Sequence, residues 1–228
     1  MLPKTLEFLQ QLRKNNNREW FERNRKIYEA SQKEMQSFLD DLIPHLNNID
    51  STIGVQKGKD CMFRIHRDLR FTKDKTPYKN YRDAIIKPGG RKSPYAGYYL
   101  HIEDGNSFIG GGMYKPQKAN LDAVRNKIYF EYPDLQKILQ DDSFRDFFGR
   151  MDPSFSLKRM PVGYSEDHPA ADLLKYKSFI VLHPLEDEDL MDDDLQETML
   201  EAFRAMKPFN RFFNEAIDEK EEERELEG

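Results

Sequence analysis

Cysteine is almost missing: Cys61 stands alone in 228 residues. A single thiol cannot close an intrachain disulfide or build a thiolate metal centre. Long apolar runs are missing too. The opening MLPKTLEFLQQLRKNNN holds no stretch suited to a signal peptide. Nothing in the chain approaches the roughly 20 apolar residues of a membrane-spanning helix. A soluble, cytoplasmic protein with no membrane partner is expected. Catalytic signatures are equally scarce. There is no HExxH, no paired His/Cys spacing, no EF-hand loop and no GxSxG, and GGGMYK lacks the spacing of a phosphate-binding loop. No metal and no cofactor are expected, and the acidic run EDEDLMDDD at 186–194 reads as a solvated loop.

Aromatic residues are plentiful. Phe, Tyr and Trp make up 12% of a chain that is 34% charged, enough apolar surface for a real core. Charge is unevenly placed. Residues 57–92 carry twelve Lys or Arg against four Asp, a net +8, while residues 186–228 carry seventeen acids against five bases, a net −12. Such asymmetry in a protein of net charge −5 points to an anionic partner at one region, or to pairing within the chain.

Hydrophobic spacing predicts a helix over 5–13. A second, longer helix is capped by Asn16 with Glu19 and ended by Pro44. Alternation predicts a strand over 62–71, with Phe63, Ile65, Leu69 and Phe71 facing a core and Arg64, His66, Asp68 and Arg70 facing away. Arg67 falls on the apolar side, so a bulge or a carboxylate must take it up. TKDKTPYKN at 72–80 reads as a loop. GYYLHIEDGNSFIGGGMY at 97–114 reads as a β-hairpin turning at Asp104-Gly105-Asn106, and Gly110–Gly112 leave a flat patch open to backbone or ligand. Helices are expected over 120–130, 133–148 and 168–175, a buried strand over 178–183, and an amphipathic helix over 194–217 followed by a solvated acidic tail. The fold class is α+β: N-terminal helices, a central, mostly antiparallel sheet with a hairpin, and C-terminal helices. Residues 1–185 read as one domain, and 186–228 as an acidic helix and tail packed on or extending from it.

Four ordered segments, NNNREWFERNRKIYE, FRIHRDLRFTKDKTPYK, GYYLHIE with GGGMYKP, and KRMPVGYSEDHPAADLLKYKSF, resemble a bacterial family known as domain of unknown function 2461. The resemblance implies a domain and no activity.

The densest basic stretch, FRIHRDLRFTKDKTPYKNYRD at 63–83, holds seven bases and three acids. Arginine forks bind phosphate or carboxylate in two places at once. Arg64, Arg67, Arg70, Lys73, Lys75, Lys79 and Tyr78, with Arg159 from a separate segment, are therefore candidates to bind a small phosphate- or carboxylate-bearing ligand, a nucleotide among them. Gly110–Gly112 would form the floor of that cleft. Asp68 and His101 are the candidates to move a proton. Two alternatives stand beside this. One is a module without chemistry that binds nucleic acid or protein, with Tyr78 and Tyr81 stacking on bases. In the other, the basic residues only brace the fold. His168 fits a local helix cap, and Cys61 fits a small buried apolar residue.

Overall fold

The computed structural model describes residues 1–227, with only the backbone of Glu227. It is α+β, with helices at both ends and one antiparallel sheet of order β1-β2-β3-β4. The strands are β1 (Tyr81–Ile86), β2 (Gly97–Glu103), β3 (Ser107–Met113) and β4 (Phe179–Leu185). Among the described residues, no helix is long and apolar enough to cross a membrane. Two compact units interleave along the chain: 1–86, 99–109 and 184–201 make the first, and 87–98, 110–183 and 202–228 the second.

In the first unit, α1 (Pro3–Lys14) buries Leu6, Phe8, Leu9 and Leu12, residues of one helical face, and α3 (Arg25–Ile49) answers with Met35, Leu39, Leu42 and Leu46. The two are pinned at one end, where Glu34 accepts from the backbone N–H and hydroxyl of Thr5 at 2.8 Å each. Between them lies α2 (Arg18–Arg23). Its cap is Asn17, which accepts from Trp20 N–H at 2.9 Å, rather than the expected Asn16. Asn16 is used elsewhere, as described below. The helical run breaks at Asn24, whose side-chain amide donates to Trp20 O at 2.8 Å.

Pro44 does not end α3, as the sequence suggested. The helix continues to Ile49 with Pro44 inside it, exposed. A mid-helix proline costs about 3 kcal/mol. Of the helix beyond it, Leu46 is fully buried, which contributes about 1.5–3 kcal/mol and offsets much of that cost.

In the second unit, α5 (Lys118–Phe130), α6 (Tyr132–Gln140), α7 (Asp142–Phe148) and α8 (Ala171–Leu174) precede β4. Its core is aromatic: Phe144 meets Phe209 at 5.3 Å, Phe209 meets Phe213 at 4.8 Å and Phe213 meets Phe179 at 5.1 Å. Phe144 comes from α7, Phe179 from β4, and Phe209 and Phe213 from one face of α9 (Leu195–Glu227). The helix runs on through the segment expected to be a tail.

Gly110–Gly112 on β3 are not an open floor. A Cβ at Gly110 would overlap the carbonyl oxygen of Val181. At Gly111 it would overlap that of Gly97 and Sδ of Met206, and at Gly112 that of Phe179. Neighbouring strands and a helix fill the space, so the patch serves close packing.

Candidate functional site

The 62–84 stretch is the structural surprise. Instead of a strand over 62–71, a ribbon forms with two isolated antiparallel bridges, Met62 with Ala84 and His66 with Tyr78. Three residues, 63–65, therefore oppose five, 79–83, so the ribbon is bulged. One cause is Asn16. Its side chain accepts from Tyr78 N–H at 3.2 Å and donates to Tyr78 O at 2.9 Å, satisfying the backbone edge that another strand would have used. Beyond Arg67 the chain leaves its partner and turns.

The consequence is an exchange of roles between two aromatics. Tyr78, expected at the ligand, is 4% exposed and stacks on Phe21 with ring centroids 4.0 Å apart. Phe71, expected in the core, is 93% exposed on the turn, with the Arg70 guanidinium 5.5 Å from its ring.

Three carboxylates of the stretch each take one base. Arg67 donates to Asp74 and Thr76, which explains a charge on the inward side of the ribbon. Arg70 grips Asp68 from Nε at 3.0 Å and Nη2 at 2.6 Å. Lys79 meets Asp83 at 3.0 Å. Hydrogen bonds from the Arg70 side chain and backbone hold the Asp68 carboxyl down at about 2. It stays ionised at neutral pH and is a poor proton carrier there. Asp74 is likewise held at about 2, first by the Thr76 N–H and then by Arg67. Lys75 donates to Leu69 O at 2.9 Å. Arg64 and Lys73 are exposed and, among the described residues, have no carboxylate at ion-pair distance. Arg159 is exposed on the loop before α8, in the second unit.

One face of β1 and β2 carries a second arrangement. Lys79, Asp83, Tyr99, His101 and Glu103 form a chain of polar contacts. The Tyr99 hydroxyl lies 3.3 Å from both Asp83 and His101 Nδ1, and His101 Nε2 lies 3.2 Å from Glu103. His101 is one of the two residues expected to move a proton. It is 7% exposed, between Tyr81 and Phe108, each with its ring centroid 4.5 Å away. Burial lowers its pKa against the opposing pull of Glu103. A neutral imidazole between a phenol and a carboxylate can pass a proton along the row.

Two residues outside the predicted set matter. Phe71 was misassigned because period-two alternation continues through it, while side-chain contacts of Arg67 with Asp74, Arg70 with Asp68 and Lys75 with Leu69 O fold the chain into a turn there. Arg82 was counted only as one of the seven bases. It lies on β1, which was not anticipated because Arg82 and Asp83 interrupt its apolar run, and it is 1% exposed. In the second unit, His168 Nδ1 accepts from Ala170 N–H at 3.1 Å, a local contact just ahead of α8, whose cap position is Ala170 and carries no side-chain cap.

The sequence model of a family described as "conserved hypothetical protein (DUF2461)" matches residues 4–212. No curated protein and no solved structure matches the chain.

Proposed function

The chain belongs to the DUF2461 family, whose description names no activity, and from its geometry we propose that it binds a phosphate-bearing ligand with an aromatic base, such as a nucleotide, on the 64–76 turn. One observation carries this: Phe71 stands exposed on the turn beside Lys73, with Arg64 exposed on the ribbon that leads into it, and among the described residues neither base has a carboxylate at ion-pair distance. A solvent-facing phenyl ring is a stacking platform, worth about 1–3 kcal/mol per base. Arg64 and Lys73, with Arg70 and Lys75 beside them, supply charge for phosphate. The tethers Arg67–Asp74 and Asp68–Arg70 hold the turn in shape, which reduces the ordering cost of binding. The proposed setting is the cytoplasm, where the lone buried Cys61 stays a thiol.

Thermal melting against ATP, AMP, inorganic phosphate and a short single-stranded oligonucleotide tests the proposal. Nucleotide should stabilise more than phosphate alone. Phe71→Ala should remove the difference, and a paired Arg64→Ala, Lys73→Ala variant should weaken both responses. No shift with any ligand, or shifts untouched by these variants, would reject the site and leave the basic turn as a brace. A response to the oligonucleotide that collapses between low and moderate salt would assign the turn to nucleic acid instead.

A further inference from the structure

Arg82 projects from β1 into the interior of the first unit, beneath α3. At 1% exposure it is among the largest fully buried side chains of the protein. Its guanidinium is permanently charged, with five N–H bonds to satisfy. Only Nη2 is served by the protein, donating to Gln32 Oε1 at 2.9 Å. That same oxygen accepts the Tyr28 hydroxyl at 2.8 Å, so it is already doubly occupied. The Tyr28 ring lies 5.6 Å from the guanidinium carbon and offers a π-face but no counter-charge. Nε and Nη1 have no hydrogen-bond partner in the protein. The neighbouring Asp83 is engaged with Lys79 and Tyr99. Among the described residues, no carboxylate lies at ion-pair distance from Arg82.

A buried charge with no counter-ion and two idle donor atoms is one of the most costly arrangements a protein interior can hold. We infer that Arg82, roofed by Tyr28 and Gln32, is a binding site for a small oxyanion, a carboxylate or phosphate group, that accepts from Nε and Nη1. The surroundings fit that class. Both idle atoms are donors, and Gln32 Oε1, which serves Nη2, already accepts twice. Tyr28 and Gln32, which contact the guanidinium, are themselves half-buried rather than fully enclosed. Phe71 and Arg64 play no part in this site, so it stands or falls independently of the nucleotide proposal.

Melting of the full chain in acetate, inorganic phosphate and chloride at equal ionic strength tests it. Acetate or phosphate at about a hundred times its dissociation constant should raise the midpoint by roughly 5–10 °C over chloride, saturably. The rise should persist in Phe71→Ala and in the Arg64→Ala, Lys73→Ala pair, which separates it from binding at the turn. Gln32→Glu is the decisive variant, because it builds a carboxylate against Arg82. It should melt higher than the wild type in chloride and lose most of the oxyanion response. Arg82→Met should lose the response outright where it folds. The site is refuted if neither oxyanion moves the wild type, or if Gln32→Glu melts lower in chloride and keeps the response. A rise that disappears with the turn variants assigns the effect to the turn and refutes it equally.

Discussion

Tyr78 and Phe71 are separated by seven positions and by opposite fates. Tyr78→Ala should cost about 3–5 kcal/mol in urea denaturation, because a stacked ring between Phe21 and His66 leaves a cavity. Phe71→Ala should change stability by less than about 0.5 kcal/mol, as an exposed position does. Equal losses would mean that the turn is packed and its ring unavailable to a ligand. His101 sets a pH dependence of its own. Held neutral by burial, it takes up a proton in the unfolded chain before it does so in the folded one. Its contribution is complete above about 6.5 and is lost as pH falls through 6.5 toward the lower folded value. Asp68 and Asp74 act in a lower window, between 3.8 and about 2. The slope of stability between pH 5 and 6.5 should therefore flatten in His101→Phe, and an unchanged slope would place the titration on another group.

Elements show where local signals sufficed. The hairpin of β2 and β3 was legible because alternating residues flank Asp104-Gly105-Asn106, and Gly105 takes the positive φ of 69° such a turn requires. The face of α1 was legible from its leucine spacing. Long-range facts were not. Whether Asn16 or Asn17 caps α2 depends on Tyr78, which lies 62 residues from Asn16. Whether Pro44 stops a helix depends on how much the helix buries beyond it. Since Pro44 is exposed and its ring is tolerated only through that burial, Pro44→Ala should restore a backbone donor and raise stability by about 1–3 kcal/mol. A drop in the denaturation midpoint would show that the proline's bend is needed for packing. The anion candidates divide in the same way. The density of bases at 63–83 was visible in the sequence, but which were spent on Asp68, Asp74 and Asp83 was not, because pairing depends on the bulge and the turn.

At the scale of the whole molecule, the matched family segment stops at residue 212 while buried structure continues. Phe213, Ala216 and Ile217 are fully buried on α9, and Glu219 reaches Lys127 Nζ at 2.6 Å. Lys127 itself is buried. Desolvation disfavours its charge, but the hydrogen bonds it donates to Glu219 and Glu131 outweigh that and raise its pKa. Truncation after residue 212 should thus cost on the order of 5 kcal/mol or more and strip Lys127 of two of its three carboxylates. Residues 222–226 are exposed, and truncation after Glu221 should leave the urea midpoint within error. Similar losses from both would mean that the terminal turns of α9 do more than their exposure indicates. The path of the chain has a consequence for synthesis. It passes between the two compact units five times, and two of those crossings fall inside β2 and β3. The first unit needs residues 184–201, and the second needs α9 beyond them. Both units therefore draw on residues from 184 onward, and neither is complete until synthesis is nearly over. For the same reason no single stretch of gene encodes either unit, and a splice that moves one of them must carry almost the whole reading frame.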